Sequence, residues 1–222
     1  MFSAKDIKKQ WIYSSLTSSY ENIADVFDAS RQNAWREAEL IMLITEGDRV
    51  LDLGCGNGRL LKAVPPVNFD YLGIDSNAYL LDQARKDFPQ RQFERANMLD
   101  YDFGSEQWDK IYCLAAFHHL ATKEDRLLFL NKVYHALKPG GQLLMTNWYL
   151  WQRRYWPSFF HWSQHKIAWN DCFVTWAHAS PRYYHAFTGG ELKRLLKQAG
   201  FKHLEQKVQD RNYLTVAVKP VR

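Results

Sequence analysis

Three groups of residues in this 222-residue chain have types and spacing that could do chemistry. The first is Asp52-Leu-Gly54-Cys55-Gly56-Asn57-Gly58, set between an apolar run and a helix-forming stretch. Glycines there let the backbone bend tightly and let a ligand approach with no Cβ in the way. A carboxylate at Asp52, just ahead of them, would repel a pyrophosphate but suits a cationic amino group. Asp75 ends the next apolar run, 17 residues after Gly58, where a carboxylate takes both hydroxyls of a ribose. The second group is His118–His119. Such a pair could act as a base, but one ring capping the next helix while the other packs is the plainer expectation. The third group, Cys55, Cys113 and Cys172, is odd in number and lacks CxxC spacing. It makes neither a disulfide framework nor a zinc site, shows no signature of a covalent nucleophile, and fits a reducing cytoplasm.

These residues need elements to hold them. Residues 6–46 read as helical, with Ile23, Val26 and Phe27 on one face and Leu40, Ile41, Leu43 and Ile44 forming another stripe. Arg49–Leu53 is a short apolar strand that runs into the glycines, and a helix follows from Arg59 to Val64, stopped by Pro65–Pro66. Tyr71–Asp75 is a second strand, Asn77–Phe88 a helix, Gln92–Arg95 a short third strand and Trp108–Leu114 a fourth. Thr122 with Asp125 forms a capping box opening a helix to about Leu137. Gln142–Asn147 is a fifth strand. Thr188 with Glu191 opens the last helix, and Lys202–Val208 with Tyr213–Lys219 reads as a closing antiparallel hairpin. This alternation predicts an α/β fold with a doubly wound parallel sheet. No internal repeat or flexible linker divides it. We expect one domain, made of a helical lid (1–46), a core (47–147), an insertion (148–187) and the closing helix and hairpin (188–222).

Charge divides the same way. The chain is +5 overall, yet residues 1–147 carry 17 basic and 20 acidic side chains, against 12 basic and 4 acidic in 148–222. Residues 148–190 hold 14 of the 34 aromatics, six of them Trp. The rear of the chain is therefore suited to something negative, planar, or both. Equally, the aromatics could form a core under a long insertion. No run reaches the ~20 apolar residues of a membrane span, and the start has no signal-peptide pattern.

The Asp-x-Gly-Cys-Gly-x-Gly run resembles the signature of the class I S-adenosylmethionine-dependent methyltransferases. The resemblance covers about residues 45–147 and 188–218. It implies a Rossmann-like seven-stranded sheet with helices on both faces and an antiparallel last hairpin. It implies S-adenosyl-L-methionine as cofactor, held by Asp52, Gly54, Cys55, Gly56, Asn57, Asp75, Ser76, Asn97, Met98 and Leu114. Asp52 and Gly54 would meet the methionine part, Asp75 the ribose hydroxyls, Asn97 and Met98 the adenine.

A narrower resemblance rests on Tyr20-Glu-Asn-Ile-Ala with Ser30-Arg31 and Trp35, on Ala116-Phe-His-His-Leu120, and on Arg182-Tyr-Tyr-His-Ala-Phe187 before Gly190-Glu-Leu192. These look like the tRNA wobble-uridine methyltransferases that esterify a carboxymethyl group. The stretch 148–180 departs from that family's pattern. A carboxylate is already ionised at neutral pH, so it needs a clamp and dehydration rather than a base. An Arg fork is the natural clamp. Arg31 and Arg182 are the candidates, one of them for the cofactor's own carboxylate. Tyr20 would contact the cofactor, and Tyr183 and His185 are expected in the catalytic pocket. Trp148, Arg153, Arg154, Tyr184 and His119 are expected at the substrate. Of the six Trp, most should pack as a lid and one or two meet a base. The expected partners are a tRNA anticodon loop and a small activator subunit, with no membrane and no metal. A small-molecule methyltransferase is the alternative, and a non-catalytic cofactor- or RNA-binding module a second one.

Overall fold

The computed structural model describes residues 3–30, 40, 43–64, 66–175 and 181–221, with the backbone alone for 23–30 and 203. Seven strands form one sheet: β1 (Arg49–Leu53), β2 (Asp70–Asp75), β3 (Gln92–Arg95), β4 (Trp108–Leu114), β5 (Leu137–Trp148) and the hairpin β8 (Lys202–Gln209) and β9 (Asn212–Val218). Their order is β3-β2-β1-β4-β5-β9-β8. The first five pair in parallel, while β9 runs antiparallel to β5 and to β8. The order turns back between β1 and β4, and open α/β sheets leave a ligand crevice beyond the strand ends at such a point.

Helices cover both faces. α3 (Lys123–Ala136) and α4 (Gly189–Gln198) lay Phe129, Leu130, Val133, Leu192 and Leu196 on one face, against Leu51, Ile111, Cys113 and Met145. α2 (Ala78–Asp87) lays Leu81 and Ala84 on the other, with Val50, Cys55, Tyr112 and Leu144. The expected caps form: the hydroxyls of Thr122 and Thr188 accept from Asp125 N (3.0 Å) and Glu191 N (3.1 Å). Arg59–Ala63 is a 3-10 turn where a helix was expected. β5 starts earlier than the sequence suggests, at Leu137. Lys138-Pro139-Gly140-Gly141, which reads as a stop, is carried by Gly140 N–H bonding Lys219 O at 2.9 Å.

α1 (Ala4–Ser30) is the described part of the expected lid. It packs Ile12 and Leu16 against Ala121, Phe173 and Tyr183. The side chains of Ile23, Val26 and Phe27 lie outside the described residues. The insertion contains two 3-10 turns (Arg153–Phe159 and Ser163–His165) and a two-stranded antiparallel sheet, β6 (Asp171–Val174) with β7 (Arg182–His185). Cys172 belongs to a separate cluster there with Leu150, Tyr184 and Ala186. The expectation that most Trp pack is corrected. Trp148 and Trp151 are half-buried, while Trp156, Trp162 and Trp169 are exposed. Trp162 packs one face on Trp11 and Trp169 on Trp151, which leaves much of each ring to solvent. Trp176 lies outside the described residues. Among the described residues no helix is long and apolar enough to cross a membrane.

Candidate functional site

Alternation along a strand decides which side chains reach the crevice. In β1, Leu51 and Leu53 face the α3/α4 side, so Asp52 faces the other, where Tyr71 of β2 also points. There the Tyr71 hydroxyl donates to Asp52 Oδ2 at 2.9 Å. Asp52 is 2% exposed, and burial pushes its carboxyl up to about 7. Asp52 is not among the residues that line the cavity, and its carboxyl is bonded to Tyr71.

The glycine turn itself does face the crevice. Gly54 has φ +76°, and a Cβ there would stand 2.7 Å from Ala116 Cβ, so only glycine fits. Asp75 Oδ2 accepts from Gly56 N (2.9 Å) and Oδ1 from Asn77 N (2.8 Å). Burial raises this carboxyl above its ordinary range, and the N–H groups of Asn77, Gly56 and Ser76 oppose the rise. The carboxylate keeps acceptor capacity for a ribose hydroxyl. Cys55, Asn57, Ser76, Asn97, Met98 and Leu114 line the same end of a cavity of about 260 Å³.

The other end is built from side chains of distant segments. At the close of β4, Ala115 takes φ +54° and its N–H bonds Thr146 Oγ1 at 2.9 Å. This bend aims the 3-10 turn Phe117–His119 into the crevice. Tyr20 of α1 lies 2.8 Å from His119 Nε2, and Arg182 of β7 lies over the rings of Tyr20 (5.1 Å) and Tyr184 (5.8 Å). Trp148 stacks on Tyr184 with centroids 4.9 Å apart and planes 16° apart. Burial pushes His119 down to about 3 and His118 well below its ordinary value. This end is a frame of aromatic rings and neutral imidazoles around one buried guanidinium.

Two expectations on β7 are corrected by the same alternation. Arg182 and Tyr184 line the cavity, but Tyr183 and His185 face away. The Tyr183 hydroxyl donates to Asp171 Oδ1 at 2.8 Å and accepts from Arg126. His185 lies 2.8 Å from Asp171 through Nδ1 and 2.8 Å from Glu191 through Nε2. Burial would raise Asp171 and Glu191, but the bonds to His185 hold both below the ordinary range. This network ties β6, β7, α3 and α4 together. Arg153 and Arg154 are exposed on the insertion and do not line the cavity, and Arg31 and Trp35 lie outside the described residues. Among the described residues no cluster of His, Cys, Asp and Glu could hold a metal ion.

Sequence reasoning missed Tyr13, Leu16 and Thr17, which line the cavity beside Tyr20. Their spacing (13, 16, 17, 20) is that of one helix face, and that signal was available. His118, weighed above as a base or a packed ring, lines the cavity as well.

Residues 50–141 match a family model described as a methyltransferase domain. The chain is 34% identical over 58% of its length to tRNA (carboxymethyluridine(34)-5-O)-methyltransferase of Mus musculus, covering 19% of that protein. It is 27% identical to the tRNA (carboxymethyluridine(34)-5-O)-methyltransferase of Schizosaccharomyces pombe, over 90% of this chain and 94% of that one. The chain spans about a fifth to a third of the length of the first curated relatives it matches. A solved complex between the Haloferax volcanii Trm112 methyltransferase activator and a methyltransferase contains a chain of like fold. The TM-score is 0.69 and the identity 20%, over 93% of this chain and 98% of that one.

Proposed function

We propose that this chain, which carries a class I S-adenosyl-L-methionine-dependent methyltransferase domain, methylates the carboxylate of a 5-carboxymethyl-type wobble uridine in tRNA to its methyl ester. One observation supports this above the others: the Arg182 guanidinium, 2% exposed, at the cavity end away from Asp75. A buried planar fork is the natural partner of a carboxylate. The names borne by the mouse and fission-yeast relatives point to the same substrate.

The cavity fits the cofactor. A bare glycine turn meets it without side chains, Asp75 would take the ribose hydroxyls, and Asn97 and Met98 would flank the adenine. S-adenosyl-L-methionine supplies an electrophilic methyl group, which a carboxylate accepts with no proton to move. What remains for the protein is positioning and dehydration, and positioning can lower a barrier by ~7–11 kcal/mol in favourable cases. Arg182 holds the substrate carboxylate and fixes its angle. Tyr184, Trp148 and Tyr20 close the walls against water, and α1 forms one side. His119 is held neutral by burial, so it neither competes with Arg182 for the anion nor repels the sulfonium. Trp156, Trp162 and Trp169, exposed on the same insertion as Arg153 and Arg154, offer stacking faces and charge to a splayed-out RNA loop. A small activator subunit, of the kind in the Haloferax volcanii complex, is the proposed protein partner.

The test uses protein isolated natively from its own cells, with whatever subunit accompanies it, and methyl-labelled cofactor. It should label tRNA carrying 5-carboxymethyluridine, and mild base should release the label, as it does from an ester. A base-stable label, or none, contradicts the proposal. Binding that falls steeply with salt marks a tRNA enzyme, whereas indifference to tRNA marks the small-molecule alternative.

A further inference from the structure

The two histidines of one 3-10 turn are held in opposite tautomers. His119 Nδ1 lies 2.8 Å from the Tyr183 carbonyl oxygen, which can only accept, so that nitrogen carries the hydrogen. Its Nε2 then accepts from the Tyr20 hydroxyl. His118 is arranged the other way. Its Nδ1 receives the backbone N–H of Trp148 at 3.3 Å, so Nδ1 is bare and the neutral ring carries its hydrogen on Nε2.

His118 is 1% exposed and lines the cavity, and among the described residues nothing accepts from its Nε2. A buried donor without an acceptor is unfavourable. Kept at a cavity wall, it is a group set to meet a ligand. The ring is 5.0 Å from Tyr184 and 4.6 Å from His119, and the charge of Arg182 reaches it. The ring therefore sits at the substrate end rather than the glycine end.

We infer that His118 Nε2–H is a specificity-determining donor that bonds a neutral ring carbonyl oxygen on the acceptor base. The inference rests on the carboxylate reading above. With Arg182 serving the anion, the neutral donor is matched to the carbonyl beside the carboxylate-bearing substituent, which lies on the same edge of a uracil ring. Cytosine has an amino group there and would set donor against donor, a mismatch that rejects as well as selects.

The test compares natively purified wild type with His118→Leu, which removes the donor at similar volume, and His118→Gln, which keeps a side-chain N–H. Each is assayed on tRNAs carrying wobble 5-carboxymethyluridine or 5-carboxymethylcytidine. Cofactor affinity is measured by calorimetry with S-adenosyl-L-methionine. Wild type should favour uridine by roughly a hundredfold. His118→Leu should lose about ten- to a hundredfold in kcat/KM on uridine, keep its cofactor affinity, and show a preference near one. His118→Gln should recover part of the uridine rate. The uridine-to-cytidine ratio within one variant cancels any loss of folded enzyme. An undiminished preference in His118→Leu overturns the role of His118 alone, as does a fall in cofactor affinity that matches the fall in rate. Transfer to neither base by wild type overturns the carboxylate reading, and this role with it.

Discussion

At the Asp75 end of the cavity the backbone makes the surface, whereas at the Arg182 end side chains make it. The first end comes mainly from two neighbouring strand ends, β1 and β2, their glycine turn and N–H groups that fix one carboxylate, with Asn97, Met98 and Leu114 beside them. The second gathers Tyr20, His118, His119, Trp148, Arg182 and Tyr184 from α1, one 3-10 turn, β5 and β7. A backbone surface tolerates change in most neighbouring side chains but not at its glycines. A side-chain surface can be altered one group at a time, and suits a part of the molecule that must choose among substrates.

Substitutions should separate the two ends. The largest effect is expected at Arg182. Arg182→Ala should cut kcat/KM by about a thousandfold with cofactor affinity nearly unchanged. A parallel loss of cofactor binding in calorimetry would show that the guanidinium serves the other end. Asp52, beneath the backbone-made end, should show in stability. Its folded pKa, about 7, is raised above the ordinary carboxylate value by burial. Its stabilising contribution is thus complete below the unfolded pKa and is lost as pH rises through 7. Urea unfolding of wild type should weaken by about 2 kcal/mol between about pH 5.5 and pH 8, relative to Asp52→Asn. Gly54→Ala should cost about 2 kcal/mol of stability, through its positive φ and the 2.7 Å approach to Ala116. It should also weaken cofactor binding, and normal binding would break the claim that bare backbone matters there. The smallest effect is expected outside the cavity. Arg153→Ala with Arg154→Ala should lower the salt slope of tRNA binding by about one to two and leave kcat at saturation unchanged.

The comparison also explains what could be read in advance. β3 and β4 match the residues expected, as do the two threonine caps and the closing hairpin within a residue or so. So does the glycine turn. All of these are local, since the pattern and its cause lie within a few residues. The side-chain end is a product of distance. β7 reads Arg-Tyr-Tyr-His and is buried on both faces, so it shows no alternation from which to tell the cavity side from the network side. That is why Tyr183 and His185 were placed in the pocket. Asp171, which holds both of them, is 11 residues before Arg182 and has no local signature. The facing of Asp52 could have been read from the alternation of Val50, Leu51 and Leu53, yet only its partner Tyr71 on β2 shows where the carboxyl rests.

The three thiols have a use that their chemistry does not suggest. Cys113, Cys55 and Cys172 sit in three separate apolar clusters: the α3/α4 face of the main sheet, its opposite face and the insertion. All three are free and buried. A thiol reagent added to the native protein can therefore modify Cys113 and Cys172 only when their own clusters open, whereas Cys55 lines the cavity and reports access to it. The order and rate of labelling, read by mass, would give a time-resolved map of which layer loosens first, with no added probe and no engineered residue.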